Sequence, residues 1–287
     1  MTLLIVTPMH NEEKNIVLLA RQLNESTVKP SLWVVVDDGS TDGSVNSLES
    51  VHTDVRTVIV GRTNKGGLIG GSAFTAWQYG VDQGLQEIGA ASYIMKLDAD
   101  VELPRDYLER VLESFTSDHA VGVSGGILIE TSDREQTVHV PGPVKLYSRV
   151  GYDALAKVPR AVGFDVMDEV AISAAGLHTV VRRDLPFRVR RPIGASQGLI
   201  HGRRRNGKVC KWTGYSVPYF FLHALRYAFR KPYIVGSIAM IVGYLRAGAG
   251  PYDSNLKKAH SRQQLQKLRR AFESPRTWYN EFYGVTR

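Results

Sequence analysis

Short apolar runs alternate along the first 125 residues with stretches in which apolar residues recur at helical spacing. Uninterrupted runs of Val, Ile and Leu are typical of parallel strands that are covered on both faces. Helices are predicted at 11–23, with Asn11 as the N-terminal cap, and at 104–117. The apolar runs predict five strands, at residues 3–7, 32–37, 56–60, 93–97 and 121–124.

This alternation predicts an α/β fold, with a mixed, mostly parallel Rossmann-like sheet and helices on both faces. Ligands of such sheets bind beyond the carboxyl ends of the strands. The alternation ends near residue 126, and a loop-rich stretch covers 130–160. Further helical patterns cover 166–175 and the basic segment 261–272, so we expect a helical carboxy-terminal extension.

An uncharged segment at 232–245 lies between Lys231 and Arg246. A membrane-spanning helix needs about 20 apolar residues. This segment of 14 is therefore too short to cross a bilayer alone, and an interfacial helix and a buried core helix both fit its length. The amino terminus shows no basic leader or small-residue cleavage site, so we expect a strand there rather than a signal peptide.

Composition and charge narrow the function classes. The 287 residues are 43% hydrophobic and 22% charged, which indicates a globular protein and excludes a disordered one. The one cysteine, Cys210, cannot form an internal disulfide, which favours a reducing intracellular compartment. The net charge is +8, but residues 1–181 carry −10 and residues 182–270 carry +18. This division predicts an acidic part that holds a metal and a basic part that contacts phosphate, nucleic acid or an anionic membrane.

Polar clusters follow three of the predicted strands, at 8–13, 37–44 and 98–100. Each is common by itself, as a turn, a helix cap or a chance D-x-D, but together at the strand ends of one sheet they indicate a site. Asp98 and Asp100 can both direct oxygens toward Mg²⁺ or Mn²⁺, which also binds diphosphate oxygens. No G-x-G-x-x-G follows the first strand and no G-x-x-x-x-G-K-[ST] occurs, so dehydrogenase and P-loop functions lose their main support.

These motifs resemble those of the family 2 glycosyltransferases with the GT-A fold. The family's P-x-x-N-E stands at 8–12, its V-V-D-D-G-S-T-D-G-S at 35–44, its R-x-N-x-G at 62–66 and its L-D-A-D at 97–100. The resemblance implies an inverting transferase that uses a UDP- or GDP-sugar and Mn²⁺ or Mg²⁺. It assigns metal binding to Asp100 and Asp98, and nucleotide-sugar binding to Pro8, His10, Glu12, Asp38, Lys65, Asp98 and Ala99.

The same resemblance implies a catalytic base at the start of a helix, 11 residues before a glycine. Asp165 has this spacing from Gly176, although Phe164 stands where the family usually has a glutamate. Asp165, Asp168 and Glu169 are three and four positions apart, so they would share one face of a helix and any of them could reach the acceptor. We favour Asp165 as the base, with Asp168 as the alternative.

The basic half combines arginines with aromatic and apolar residues between 215 and 245, which suits an anionic membrane better than a nucleic acid. We therefore predict a GT-A domain at 1–212, with a nucleotide-binding half at 1–125 and an acceptor-binding, catalytic half at 126–212. A membrane-associating extension would cover 213–287. The acceptor would be lipid-linked or a membrane-proximal glycan, and the protein would be cytoplasmic, peripheral on the inner face of the cell membrane.

Two other functions stay open. The departure at Phe164 is compatible with a catalytically silent protein that binds nucleotide-sugars or acts as a membrane scaffold. A sugar-phosphate nucleotidyltransferase has a similar fold, but the Gly-rich loop of that class does not follow the first strand. Turnover by variants at Asp165 and Asp168 separates an active transferase from a silent protein.

Overall fold

The computed structural model describes residues 1–63, 72–129, 139–190, 198–229 and 231–276. Its strands are β1 (Leu3–Met9), β2 (Leu32–Asp37), β3 (Thr57–Gly61), β4 (Tyr93–Leu97), β5 (Val101–Glu102), β6 (Val121–Leu128), β7 (Val144–Ser148) and β8 (His178–Val189). Its helices are α1 (Glu13–Glu25), α2 (Ser44–Glu49), α3 (Ser72–Ile88), α4 (Tyr107–Ser117), α5 (Arg149–Asp153), α6 (Phe164–Ala174), α7 (Leu199–Trp212), α8 (Val217–Ala228), α9 (Tyr233–Leu245) and α10 (Ser254–Glu273).

The strands of the described residues form one sheet in the order β3-β2-β1-β4-β7-β6-β8-β5. Strands β1 to β4 are mutually parallel, and β7 enters antiparallel between β4 and β6. Helices α1 and α4 pack on one face of the sheet, and α3 and α6 pack on the other. The predicted mixed, mostly parallel α/β fold is confirmed.

The five predicted strands correspond to β1, β2, β3, β4 and β6, and the helices predicted in the first half correspond to α1 and α4. Strand β7 lies inside the stretch predicted to be loop-rich, and β8 overlaps the start of the basic segment 182–270. Most side chains of β8 keep contact with solvent, which is why charged residues are tolerated there. A search for buried apolar runs does not detect a strand of that kind.

In the helical extension α7 and α9 run parallel, because a Cβ on Gly236 near the start of α9 would lie 3.4 Å from the Arg203 side chain near the start of α7, and one on Gly250 after α9 would lie 2.5 Å from the Trp212 indole at the end of α7. The two helices touch through glycines. A Cβ atom on Gly207 would lie 1.8 Å from the carbonyl oxygen of Met240, and one on Gly243 would lie 2.0 Å from that of Arg204. Helix α8 runs antiparallel to α9, since the Ser237 hydroxyl donates to the Ala224 carbonyl at 2.8 Å. The predicted domain boundary at 212 falls between α7 and α8, two helices that both pack against α9.

The segment predicted to be an interfacial or a core helix forms α9, which has one buried face and one exposed apolar face. Gly236, Ser237, Met240, Gly243 and Tyr244 are buried against α7 and α8. The opposite face is exposed at Tyr233, Ile234, Val235, Ile238 and Leu245. Within the described ranges, none of the helices is long and apolar enough to cross a bilayer.

The contact at Gly207 predicts a loss of stability when a methyl group is added. In Gly207→Ala the new Cβ meets backbone atoms of α9 that cannot rotate away, so the helices must separate. We expect the free energy of unfolding to fall by about 1–3 kcal/mol, the usual cost of overpacking. Urea denaturation followed by circular dichroism measures the change.

Gly202→Ala is the matched control, because a Cβ at this position of α7 would meet nothing within 4 Å. Alanine is the better helix former, so this variant should gain about 0.5–1 kcal/mol. Equal effects of the two substitutions would contradict glycine-mediated packing of α7 on α9.

Candidate active site

The predicted polar clusters lie at one edge of the sheet. Because β1 to β4 are parallel, their carboxyl ends meet there, with Met9 beside Asp37 and Asp37 beside Gly61. The chain progresses from β1 outward to β3 in one direction and to β4 in the other, so the sheet switches direction between β1 and β4. Such a switch point opens a crevice in which α/β proteins bind their ligands.

Backbone and hydroxyl groups join the first two clusters. The backbone N–H of Glu12 donates to the Ser44 hydroxyl at 2.8 Å, and that of Asn11 donates to the Ser40 hydroxyl at 3.0 Å. The Asn11 side chain accepts from the backbone N–H of Thr41 at 2.8 Å. The prediction that Asn11 caps α1 is wrong: Glu12 holds the N-cap position, and Asn11 uses its side chain to position the second loop.

Asp38 lies at the floor of this crevice, with only 3% of its surface exposed. Its backbone N–H donates to the Met9 carbonyl at 2.8 Å, and its carboxylate lies 3.5 Å from the guanidinium Nε of Arg62. The His10 ring is exposed, with Nδ1 3.0 Å from the Asp38 carbonyl. Arg62 therefore offsets part of the buried negative charge, and His10 is left at the rim.

The other residues predicted to bind the nucleotide-sugar differ in exposure. Pro8 is half-buried in β1, and Glu12 is buried and accepts from the Asn15 amide at 2.7 Å. Ala99, the middle residue of the D-x-D turn, is buried. Lys65 lies outside the described residues. Pro8 and Glu12 thus belong to the same strand end as His10, whereas Ala99 belongs to the end of β4.

A buried lysine organises the D-x-D turn. Lys96 of β4 contacts the Asp98 carboxylate and donates to the Gly142 carbonyl at 2.8 Å. The backbone N–H of Asp98 also donates to the Pro143 carbonyl at 2.9 Å, so the turn is held against the loop before β7. Burial raises the pKa of Asp98 and the Lys96 ammonium opposes the rise, while 30% of the Asp98 side-chain surface stays open to solvent.

Asp98 and Asp100 suit a hard divalent cation, because both offer carboxylate oxygens at one strand end. Burial raises the pKa of Asp100 too, and the positive charges of Lys96 and Arg190 oppose the rise. A cation at this position would stabilise both ionised carboxylates. Across the part of the chain that is described, no three His, Cys, Asp or Glu side chains converge to hold a metal. The two aspartates would therefore supply part of a coordination sphere that ligand and water oxygens complete.

Asp165 reaches the same place from α6. It stands in the first turn of the helix, is exposed, and has its carboxylate packed on Gly142, where an added Cβ would lie 3.0 Å from the Asp165 Cγ. Its negative charge contributes to the raised pKa of Asp98. Phe164 is buried and stacks on Phe74 at 3.4 Å between ring centroids. The turn at Gly142 thus lies between the base candidate and the D-x-D pair.

Asp168 and Glu169 form a buried ion network with a second strand lysine. Lys145 of β7 donates to the Asp168 carboxylate at 2.7 Å and to that of Glu169 at 3.2 Å, and Tyr147 donates to Asp168 at 2.7 Å. Lys145 also donates to the Asp165 carbonyl at 2.7 Å. Asp168 has 0% of its surface exposed, so the shared face expected for the three carboxylates divides into an exposed Asp165 and a buried pair.

Charge and burial act in opposite directions within this network. Burial alone would lower the pKa of Lys145, but the carboxylates of Asp168 and Glu169 raise it above its ordinary value. Burial raises the pKa of Asp168, against the effect of Lys145. The pKa of Glu169 is lowered, because Lys145 and His139 outweigh its burial. The ion pairs therefore depend on Lys145 remaining charged.

Lys96, Lys145 and Tyr147 were not among the residues predicted from the sequence. The two lysines interrupt apolar strands, in the segments YIMKL and VKLYS. A lysine in such a run is almost never fully buried unless it is paired, so it signals a buried acidic partner. The identity of that partner does not follow from the run itself.

Removal of Lys145 should destabilise the folded protein. Lys145→Met leaves the Asp168 carboxylate buried without its cation, so the free energy of unfolding should fall by about 3–5 kcal/mol at neutral pH. The loss should shrink as the pH falls toward the ordinary carboxyl pKa of about 3.9. In the folded variant Asp168 takes up a proton at a higher pH than in the unfolded chain, so acid favours the folded form.

The double variant Lys145→Met/Asp168→Asn is the control, because it removes the stranded charge and should regain most of the loss. Denaturant titrations at several pH values measure all three proteins. A loss that is independent of pH and unrelieved in the double variant would show that Lys145 acts only through packing.

The sequence comparisons agree with the motifs. The family model for Glycosyl transferase family 2 matches residues 4–172. Undecaprenyl-phosphate mannosyltransferase of Micrococcus luteus is 28% identical over 155 residues, which are 52% of this chain and 60% of that protein. The matched region thus spans less than two thirds of that relative.

Solved structures show the same fold at low identity. The mannosyltransferase PcManGT from Pyrobaculum calidifontis, in complex with GDP-Man and Mn²⁺, is similar with a TM-score of 0.56 and 20% identity, over 97% of this chain and 83% of that one. TarS from S. aureus, in complex with UDP-GlcNAc, is similar with a TM-score of 0.54 and 16% identity, over 98% of this chain and 79% of that one. With the motifs at the strand ends and a family match that spans more than half of its length, the chain belongs to glycosyl transferase family 2.

Proposed function

We propose that this protein is a divalent-metal-dependent, inverting glycosyltransferase that moves a sugar from a GDP- or UDP-sugar to a lipid-linked or membrane-proximal glycan acceptor. One observation carries the proposal. Asp98 and Asp165 lie around the turn at Gly142, with Asp100 beside Asp98 and a buried lysine beneath them. This arrangement supplies carboxylates for a metal on one side of the turn and an exposed carboxylate on the other.

Different residues would bind different parts of the donor. Asp38 would accept hydrogen bonds from the base or ribose, since its buried carboxylate benefits from further donors. His10 and Pro8 would contact the nucleotide from the rim, and Glu12 would hold the loop that carries them. We propose that Asp98 lies near the ribose or diphosphate and that Asp100 and Asp98 hold the cation. When bound there, Mn²⁺ or Mg²⁺ would offset the charge that develops on the leaving diphosphate.

Asp165 is the better base of the two proposed. A base must reach the proton that it removes, and Asp165 is exposed in the first turn of α6, whereas Asp168 is enclosed by Lys145 and Tyr147. Asp165 would take the proton of an acceptor hydroxyl, or would orient an acceptor phosphate. The acceptor oxygen would then attack the anomeric carbon from the face opposite the diphosphate, which inverts the configuration. Asp168 would keep α6 in position.

The relatives support this choice of substrates without identifying them. One similar structure holds GDP-Man with Mn²⁺ and another holds UDP-GlcNAc, so both nucleotides stay in the proposal. The Micrococcus luteus relative is named for an undecaprenyl-phosphate acceptor, which supports a lipid-linked acceptor here. Calorimetric titration with GDP and with UDP, each with Mn²⁺, decides which nucleotide binds.

Asp165→Asn should separate catalysis from donor binding. The amide keeps the shape of the carboxylate but cannot take a proton, so turnover should fall about 10²- to 10⁴-fold. The affinity for the nucleotide with Mn²⁺ should stay within about twofold, because the nucleotide is bound by other groups. Steady-state kinetics and calorimetry measure the two quantities.

Asp54→Asn, in an exposed loop away from the site, is the matched control and should keep full turnover. Full turnover of Asp165→Asn would reject this base. If the unaltered protein binds a nucleotide with Mn²⁺ but transfers no sugar to any membrane-derived acceptor, the chain is a silent binding protein instead.

One end of the helical extension, here called the apolar tip, carries the exposed apolar side chains that would contact a membrane. The amino ends of α7 and α9 and the carboxyl end of α8 meet there, because α8 runs antiparallel to the other two. Its exposed residues are Leu199, Ile200, Leu222, Leu225, Phe229, Tyr233, Ile234, Val235 and Ile238. The exposed Arg204, Arg226 and Lys231 lie in the same helix ends and the turn between them.

We propose that the apolar tip enters an anionic leaflet and holds the protein peripherally on the inner face of the cell membrane. Aromatic and aliphatic side chains flanked by cations suit the interface between headgroups and acyl chains. The net charge of +18 over residues 182–270 favours anionic lipid further. An acceptor with a lipid anchor would then be held at the same surface as the enzyme.

Substitution of the tip should weaken vesicle binding. The double variant Phe229→Ser/Ile234→Ser removes two large exposed apolar side chains, each worth about 1.5–3 kcal/mol when fully buried. Its affinity for phosphatidylcholine–phosphatidylglycerol vesicles should fall at least about tenfold in flotation assays. Salt should weaken the binding of both proteins, because it screens the cations.

Phe272→Ser is the control, because Phe272 on α10 is 83% exposed but lies outside the tip. It should bind vesicles like the unaltered protein. Equal losses in the control and the double variant, or no flotation of the unaltered protein at low salt, would show that the apolar tip does not bind the membrane.

A further inference from the structure

A basic groove runs along one side of α7, apart from the sheet edge that carries the D-x-D pair. It is a cavity of about 320 Å³ between α7, the end of α9 and the turn before α6. The polar side chains that line it are all donors or cations: His201, Arg204, Arg205, Lys208, Trp212 and Arg246. No acidic residue is among its described lining residues, so the groove has a strongly positive potential.

Trp212 lines this groove and carries an indole N–H with no acceptor within the described residues. Trp212 is only 7% exposed, and its Nε1 is buried. A buried donor that stays unsatisfied costs about 1–3 kcal/mol, so such groups normally have a partner. Lys208 lies over the same indole ring, with its ammonium 4.4 Å from the ring centroid. A ligand that accepts from Trp212 would therefore also meet a positive charge.

The chemistry that fits is a phosphate group. Its oxygens accept several hydrogen bonds, and guanidinium groups bind it with two parallel N–H donors. Three arginines, a lysine and an indole N–H around one small cavity match such a group better than a carboxylate, which has fewer oxygens to share among them. The cavity is also large enough for the phosphate and the first atoms attached to it.

The position of the groove indicates where the rest of the ligand lies. Residues 201 to 212 span about 16 Å of helix. The outer end, at His201, is next to Leu199 and Ile200 of the apolar tip, and the inner end reaches Val162, three residues before Asp165. Tyr252 holds the inner turn, with its hydroxyl 3.1 Å from the carbonyl oxygens of Ala161 and Val162. The groove thus connects the apolar tip with the turn that precedes α6.

We propose that the basic groove binds the phosphate group of a membrane lipid whose hydrocarbon chain lies along the apolar tip. This inference rests on the proposed function for its meaning, since a lipid phosphate bound there would be held beside the helix of the proposed base. The phosphate belongs either to an isoprenoid lipid whose attached glycan is the acceptor, so that the phosphate itself stays outside the reaction centre, or to an ordinary anionic phospholipid.

The indole N–H gives a direct readout of the groove. The chain has four tryptophans, so the indole region of a ¹H–¹⁵N spectrum of the ¹⁵N-labelled full chain is simple, and the Trp212 signal is the one that is lost in Trp212→Phe. Titration with inorganic phosphate should move that signal and leave Trp33 and Trp77 unmoved, because those two rings are buried in the core. In Lys208→Gln the affinity should fall about tenfold, as expected for loss of one charge-assisted contact.

Vesicles identify the source of the phosphate. The full chain is floated with phosphatidylcholine vesicles that carry either an isoprenoid monophosphate or phosphatidylglycerol at equal charge. We expect stronger binding to the isoprenoid phosphate, and we expect Lys208→Gln and Arg246→Gln, both away from the apolar tip, to lose that preference. Lys258→Gln, an exposed lysine of α10, is the matched control and should bind like the unaltered chain.

Each other outcome has a defined meaning. Equal loss by the groove variants on both vesicle types supports the groove with ordinary anionic lipid as its occupant. A moved Trp212 signal with unchanged vesicle binding in the variants overturns the assignment to a lipid, and an unmoved signal with unchanged vesicle binding overturns the groove itself. Calorimetry with GDP or UDP and Mn²⁺ tests the proposed function separately, because these variants lie outside the nucleotide site.

Discussion

The burial of Lys145 between β7 and α6 is the constraint on which the site depends. This lysine contacts two side-chain carboxylates and a backbone carbonyl of α6, and it fixes the first turn of that helix relative to the sheet. Replacement of such a network by apolar residues often costs little stability. We therefore interpret it as a device for orientation: it directs Asp168 and Glu169 inward and leaves Asp165 at the surface.

Strand β7 links this network to the D-x-D turn. It pairs antiparallel with β4, so the loop before β7 lies beside the turn that follows β4. Lys96 and the backbone of Asp98 bond to that loop at Gly142 and Pro143. Two buried lysines on adjacent strands thus hold two separate acidic segments at one turn. A side chain at 142 would press on the Asp165 carboxylate, because an added Cβ would lie 3.0 Å from it.

The packing of the helical extension gives the protein an exposed apolar surface and a basic groove. Glycines let α7 and α9 pack closely, and this close packing brings the ends of three helices together at the apolar tip. The side of α7 that faces the turn before α6 carries the basic groove. One helix thus has an apolar end suited to a membrane, a cationic side suited to a phosphate, and a glycine-lined side that packs within the protein. The charge of +18 is distributed over these helices and β8, away from the carboxylates of the sheet edge.

The sequence by itself determined the α/β class, five strands and the three polar clusters, because apolar runs and turn residues are local signals. It also indicated that 232–245 cannot span a bilayer, which depends on length alone. Only the tertiary structure decided how Asp165 and Asp168 differ. Their spacing allows both to share a helix face, and it is Lys145 and Tyr147, some 20 residues away along the chain, that bury one of them. Likewise, α9 is half core and half exposed because α7 and α8 cover one side of it. A pattern within one segment does not encode which distant segment will cover it, so the different exposure of Asp165 and Asp168, the apolar tip and the basic groove all depend on how the elements pack together.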